Sequence, residues 1–224
     1  CVTKEYFWRS MNDHFRHQGL RLKLVDTIRQ KGITDEGVLA AILKIPRHLF
    51  LDPAFVNFAY QNKAFPIAAG QTISHPYTVA YQSQLLNLKP REKVLEVGTG
   101  SGYQTAVLLE MKCQVFTIER QKELYLKTKG LMPKLGYQCM FFYGDGYLGL
   151  QQLAPFDKII VTAGATFVPQ ALKDQLKVGG RMVIPVGDRH SQKMLLITKS
   201  SSSEYQELEL YEFSFVPLLP KKSQ

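Results

Sequence analysis

The chain has 224 residues, 45% of them hydrophobic and 21% charged, with 16 Gly, 11 Pro and 3 Cys. This is the composition of a globular protein, and a chain of roughly 150 to 250 residues builds one large core before it splits, so one domain is expected. The formal net charge of +9 is scattered along the chain rather than gathered into one patch, which favours a solvated surface over a nucleic-acid interface.

The start, CVTKEYFWRS, has no apolar stretch resembling a leader, and Cys1 reads as a trimmed end rather than a lipid-anchored cysteine. Residues 1–15 either pack on the core, as Phe7 and Trp8 suggest, or stay disordered. Leu20, Leu24 and Ile28 recur at helical spacing, which predicts an amphipathic helix over 16–31. A second helix follows Asp35, with Val38, Leu39, Ile42 and Leu43 as its apolar stripe and Pro46 as its stop. Residues 52–77 have no period but are rich in aromatics, and so read as a functional loop rather than a spacer. Residues 76–87 read as helix again.

From Lys93 the pattern alternates. Strands are predicted at 93–97, 114–118, 138–143, 158–162, 181–186 and 193–199. Helices are predicted at 103–111, 121–135 and 168–177, the last with Pro169 in its first turn and Gly179-Gly180 beyond its end. Strand and helix in series imply a mainly parallel sheet covered on both faces. ELELYEFSFV, at 207–216, alternates with period two, which predicts an antiparallel hairpin on one sheet edge.

Three strand ends carry chemical signals. After the first comes Glu96-Val97-Gly98-Thr99-Gly100-Ser101-Gly102, whose glycines let the backbone turn tightly and bring a nucleotide-type ligand against helix-opening amides. The spacing fits a dinucleotide pyrophosphate less well, because Tyr103 stands where a third fingerprint glycine belongs. Glu119 ends the second strand, where a carboxylate can accept both hydroxyls of a ribose. Gly144-Asp145-Gly146 follows the third strand; Asp145 there can accept from an adenine amino group, with Phe141 or Phe142 bordering the ring. Each signal has a plainer reading as a turn or a helix-start acid. Their joint position, on the edge where open parallel sheets bind ligands, carries the weight.

EVGTGSG, the Glu119 strand end, GDG and PFDKIIVTAG (155–164) together resemble a class I S-adenosylmethionine-dependent methyltransferase. PRHLF (46–50), PIAAGQTISHPYTVA (66–80) and PQALKDQLKVGGRMVIPVG (169–187) narrow this to a close resemblance to the protein-L-isoaspartate O-methyltransferase family, from about residue 20 to residue 219. Ala68 departs from the family's usual glycine, and Asn62 stands where an acidic residue is common. The resemblance implies a Rossmann-like α/β fold in a single domain, 1–224. Its parts would be a helical N-terminal extension with the GQTIS loop (1–90), a cofactor-binding core (91–199), and a C-terminal antiparallel edge hairpin and tail (200–224).

The same resemblance implies repair of damaged proteins: methyl transfer from S-adenosyl-L-methionine to the free carboxylate of L-isoaspartyl residues, with S-adenosyl-L-homocysteine as product. It makes Ser74 the active-site residue. The cofactor would be bound by Gln71, Thr72, Ile73, Ser74, Glu96, Gly98, Thr99, Gly100, Ser101, Gly102, Glu119, Arg120, Asp145 and Gly146. The substrate would meet Pro66, Ile67, His75, Val216, Pro217 and Leu218.

The nucleophile, a carboxylate with a pKa near about 4, is ionised at pH 7, so no general base is needed and the task is positioning. A class I enzyme acting on nucleic acid or a small molecule is the alternative. Its marks are absent: the fourth strand end reads VTAGAT rather than Asn/Asp-Pro-Pro-aromatic, and no cysteine is preceded by proline. Cys1, Cys113 and Cys139 are widely spaced with no CxxC pair, so neither a disulfide framework nor a metal site is expected, and a reducing compartment, the cytoplasm, fits. No apolar run reaches the roughly 18 residues of a membrane span. The expected partners are damaged proteins and peptides, with no nucleic acid and no membrane, and the chain is expected to be a monomer.

Overall fold

The structure, a computed structural model, describes residues 13–223. Cys1, Phe7 and Trp8 lie outside them. Helix α1 (Phe15–Gln30) turns Leu24 and Ile28 inward, as the spacing predicted, leaves Leu20 half-buried, and also buries Val25 and Arg21. That guanidinium is forked onto the Asp13 carboxylate at 3.1 and 2.8 Å and donates to the Tyr60 hydroxyl at 3.2 Å. Helix α2 (Glu36–Lys44) opens on Asp35, whose side chain accepts from the Val38 amide at 3.0 Å and so satisfies one of the free N–H groups of the first turn. It stops at Ile45, as expected of a residue before proline.

The segment up to residue 75 is irregular but not loose. Short helical turns at Arg47–Phe50 and Pro53–Phe58 lead into a small antiparallel ladder, β1 (Phe65–Pro66) with β2 (Thr72–Ile73). Arg47, fully buried, donates to the carbonyls of Ala59 at 2.9 Å and Lys63 at 3.1 Å and stacks over the Tyr103 ring at 4.8 Å. Helix α3 (Pro76–Leu86) follows, with proline in its first turn and Asn87, at φ 51°, closing its end.

The remainder alternates: β3 (Lys93–Val97), α4 (Tyr103–Glu110), β4 (Gln114–Glu119), α5 (Lys122–Leu131), β5 (Met140–Tyr143), β6 (Phe156–Val161), α6 (Gln170–Asp174), β7 (Leu176–Gly187), β8 (Gln192–Lys199) and β9 (Tyr205–Phe213). One seven-stranded sheet results, in the order β5-β4-β3-β6-β7-β8-β9. It is parallel from β5 to β7 and antiparallel at β7–β8 and β8–β9, which makes the C-terminal edge the predicted hairpin. Side-chain alternation splits the core between the two faces. Val94, Ile160 and Val183 join the cluster that also holds α1–α3 and α4 residues, while Leu95, Ile159, Met182 and Ile184 join the one holding Leu172.

The last parallel helix departs from the prediction over 168–177. It spans only Gln170–Asp174, because Leu176 already pairs with Phe156, and the register then shifts before Lys158–Arg181. Gly179-Gly180 therefore lies within β7, not beyond a helix. A Cβ on Gly180 would come within 2.7 Å of the Lys177 carbonyl and 2.8 Å of the Asp157 carbonyl, so this irregularity admits only a bare backbone. The predicted helix 121–135 likewise breaks before Pro133, leaving a separate turn at Pro133–Leu135.

The candidate ligand cleft

Strand β3 sits where the strand order reverses, with β4 on one side and β6 on the other, and crevices of open sheets form at the carboxyl ends of such strands. An open cleft lies there, lined by residues from β3, β4, the loop before α3 and the C-terminal segment.

Its floor is the glycine turn. Gly98, Gly100 and Gly102 have φ of 100°, 52° and 86°, a region L side chains avoid. A Cβ on Gly98 would stand 2.4 Å from the Thr162 hydroxyl, which lies 2.7 Å from the Gly98 carbonyl and 3.0 Å from that of Val97. The Thr128 hydroxyl donates to the Gly100 carbonyl at 2.6 Å. The turn is thus clamped from β6 and from α5. Beside it, Glu119 is 5% exposed. One carboxylate oxygen accepts from the Gly100 amide at 2.9 Å and the other from the Gln121 amide at 2.8 Å.

Opposite stands the loop of residues 66–74. The β1–β2 ladder pairs Pro66 with Thr72 and Phe65 with Ile73, and the Ile67 amide donates to the Gln71 carbonyl at 2.8 Å, so a tight turn presents Gln71, Thr72, Ile73 and Ser74 to the cleft. Ala68 needs no glycine: the positive φ of this turn falls on Ala69, at 56°, and on Gly70, at 64°. Asn62 carries a defined task, its side-chain carbonyl accepting from the Tyr77 amide at 2.9 Å at the start of α3. A carboxylate there would do the same, which accounts for the exchange.

Gln71, Thr72, Ile73, Ser74, Gly98, Thr99, Gly100, Ser101, Glu119, Arg120, Gly146, Val216, Pro217 and Leu218 line this one cleft. The others lie around it. Glu96 is fully buried beneath the turn, where one oxygen accepts from the Thr105 hydroxyl at 2.6 Å and the other has no hydrogen-bond partner. Burial pushes its pKa up to about 8, against the opposing hydrogen bonds. Gly102 packs against Met132 and Thr128, where a Cβ would meet both at 2.8 Å. Asp145 points toward the chain end, its oxygens accepting from the amides of Tyr147 at 2.9 Å and Lys221 at 2.6 Å. Pro66 and Ile67 line an adjoining cavity with Phe50, Phe55 and Lys127. His75 is exposed just before α3; desolvation, and then the Arg47 cation, lower its pKa from the ordinary histidine value. Phe141 and Phe142 are not among the residues that line this cleft. They alternate onto the two faces of the sheet, each packed against a different core cluster.

Thr162, Ile118, Tyr103, Gln104, Gln121 and Leu219 also line the cleft and escaped the sequence reading. Thr162 had one signal, a hydroxyl at a strand's carboxyl end; Leu219 had none. Val216–Leu218 arrive from far along the chain: the Gly164 amide donates to the Val216 carbonyl at 2.8 Å and the Leu218 amide to the Gly164 carbonyl at 2.7 Å. Among the described residues, one group of ligating side chains, Asp13, His17 and His48, gathers within 4.8 Å. It lies outside the cleft, and Arg21 already engages Asp13. No helix among the described residues is long and apolar enough to cross a membrane.

The chain is 60% identical over 214 residues to the protein-L-isoaspartate O-methyltransferase of Christiangramia forsetii, covering 95% of this chain and all of that one. With its Flavobacterium johnsoniae counterpart it shares 58% over 214 residues, covering 95% and 100%. Among solved structures, a protein-L-isoaspartate O-methyltransferase superposes with a TM-score of 0.80 at 29% identity, covering 88% of this chain and 65% of that one. A Plasmodium falciparum structure, described as a protein-L-isoaspartate O-methyltransferase in complex with S-adenosyl-L-homocysteine, gives 0.78 at 26% identity, covering 89% and 98%. Residues 20–223 match the family model of Protein-L-isoaspartate(D-aspartate) O-methyltransferase. By its motifs, its sheet order and this similarity over nearly its whole length, the chain belongs to the protein-L-isoaspartate(D-aspartate) O-methyltransferase family.

Proposed function

We propose that the cleft is where this chain carries out its family's reaction, methyl transfer to the free carboxylate of L-isoaspartyl residues in damaged proteins and peptides, and that its two walls divide the work. S-adenosyl-L-methionine, when bound, supplies a methyl group activated by a positively charged sulfur. The lining suits such a group. A carboxylate can accept about four hydrogen bonds; Glu119 gives two of these positions to backbone amides, which leaves room for two neighbouring ribose hydroxyls. Ile118, Val97 and Leu218 offer apolar surface to a flat base, with Asp145 and Gly146 on that side. The glycine turn brings amides and carbonyls close to the rest of the molecule.

The loop of residues 71–74 closes over the cofactor and, through Ser74, meets the substrate. Its carboxylate is ionised well below pH 7, so the reaction needs no base, in keeping with a lining that contains no histidine. Ser74 and neighbouring amides orient the carboxylate oxygen at about 3 Å from the methyl carbon, in line with the bond that breaks. The apolar face of the loop and Val216–Leu218 keep water from that line. Because the Val216 carbonyl and the Leu218 amide are committed to Gly164 and proline has no N–H, the Pro217 carbonyl is the acceptor left for an extended peptide. Pro66 and Ile67, in the adjoining cavity, and His75, exposed next to Ser74, would meet its flanking residues.

The observation that carries this reading is the meeting, across one cleft, of the Glu119-braced glycine turn and the Gln71–Ser74 loop. Labelled methyl transfer to two peptides that differ only in an isoaspartyl or aspartyl linkage tests it. Base-labile label is expected on the isoaspartyl peptide alone; label on both, or on neither, would overturn it. We place the enzyme in the cytoplasm, as a monomer acting on proteins rather than nucleic acid. Cys113 and Cys139 are free thiols, pushed up to about 12 chiefly by burial, which suits a reducing compartment.

A further inference from the structure

The chain does not end at the edge hairpin. Beyond Leu218 it crosses the carboxyl ends of β4 and β5 and is tied down at each step. The Lys221 amide donates to an Asp145 oxygen at 2.6 Å, and Arg120 Nε donates to the Lys221 carbonyl at 2.9 Å. The Ser223 amide donates to the Arg120 carbonyl at 2.9 Å, the Lys122 amide donates to the Ser223 hydroxyl at 3.2 Å, and the Tyr143 hydroxyl donates to the Ser223 carbonyl. Leu219 and Arg120, the first residue of this crossing and one of its anchors, both line the cleft beside Ile118 and Glu119.

The fastening is polar rather than apolar. Leu219 is 42% exposed, and Pro220, Lys221 and Lys222 lie on the surface. Lys221, whose amide makes the bond to Asp145, has φ 63°, which a lysine adopts at a cost. A segment with little buried apolar area and surface hydrogen bonds is drawn from the part of a fold that opens first. Asp145 accepts one backbone amide on each oxygen, so its side chain holds this segment in place and, like Glu119, keeps acceptor positions for a ligand.

We propose that Leu219–Ser223 is a strap forming the outer wall of the adenosine side of the cofactor cleft, that Asp145 and Arg120 are the positioning residues that latch it, and that its release sets the rate at which cofactor and product exchange. This rests on the cleft being the S-adenosyl-L-methionine site. A tight latch keeps the cofactor while a protein substrate is sought, and a reversible one frees the product afterwards.

Lys221→Pro removes the amide that bonds Asp145 and, with φ fixed near −65°, cannot hold the 63° of this position, so it unlatches the strap without changing the identity of any residue that lines the cleft. Dissociation of S-adenosyl-L-homocysteine, followed by stopped flow, is expected to be at least tenfold faster in this variant, with a melting temperature close to that of the parent. An unchanged dissociation rate in the folded variant would overturn the strap. The parent chain gives a second reading that needs no substitution: hydrogen exchange at the Lys221 and Ser223 amides should slow at least tenfold when S-adenosyl-L-homocysteine is added. Equal exchange with and without it would also overturn the proposal. A parent that does not bind S-adenosyl-L-homocysteine at all would overturn the reading of the cleft instead.

Discussion

The two walls of the cleft are built in different ways. The wall we assign to the cofactor is made where strands end: residues 98–101 follow β3, Glu119 closes β4 and Gly146 lies just beyond β5, and the parallel ladders set their spacing. The substrate wall is made of irregular chain, shaped by side chains that reach into it, with Arg47 gathering the carbonyls of Ala59 and Lys63 and Asn62 tying the loop to α3. Backbone geometry supplies precision in the first wall. In the second it has to be imposed by buried polar contacts, which are individually modest and costly to leave unmade.

The sharpest way to break the comparison is through pH. Glu96 lies beneath the glycine turn, and burial raises its pKa from the ordinary carboxylate range to about 8. The folded chain keeps a proton that the unfolded chain releases, so the stability linked to this group is fully present below about pH 4.5 and is lost as pH rises toward 8. Glu96→Gln should flatten that decline, gaining several kcal/mol on the parent at pH 8 relative to pH 5 in denaturant titrations. Parallel curves for the two proteins would show that Glu96 is ionised in the fold.

Next in size is Gly98→Ala. Its Cβ would meet the Thr162 hydroxyl at 2.4 Å and its φ is 100°, so a loss of about 2–4 kcal/mol is expected in chemical unfolding. Isoaspartyl methylation should fall with cofactor affinity rather than with peptide affinity. Glu119→Ala leaves the Gly100 and Gln121 amides without their acceptor, and should weaken S-adenosyl-L-methionine binding by about 1–3 kcal/mol. Unchanged calorimetric affinity would remove Glu119 from the site. The smallest effect tests the other wall. Asn62→Ala should cost about 1 kcal/mol in melting experiments through the lost cap, with the Michaelis constant for the peptide rising and that for the cofactor steady. Asn62→Asp should behave like the parent.

What was legible follows the same division. Glycines 98, 100 and 102 and the strand-end Glu119 could be read because their roles are local: backbone freedom, and a carboxylate at the end of a strand. The short helix Gln170–Asp174 was over-read to 168–177 because Leu172 and Leu176 both turn to the core, a spacing that helix and strand share over so short a stretch. Period two sends Phe141 and Phe142 to opposite faces of the sheet, and the sequence does not say which face each takes. Asp145 sits where its glycines suggested, yet its partner is an amide at Lys221, 76 residues along the chain, which no local pattern announces.

The sequence by itself determined the alternation that makes the sheet parallel, the hairpin at its edge, the glycine turn and, through its motifs, the family. Each depends on periodicity or on the conformational range of single residues, properties carried within a few positions. Only the tertiary structure decided that Arg47 would be buried against Tyr103, that Thr162 would clamp Gly98, that Glu96 would lie in a medium that holds its proton, and that residues 219–223 would cross the carboxyl ends of β4 and β5. Those are contacts between distant segments. Their energies come from desolvation and hydrogen bonding, which exist only once the chain has packed.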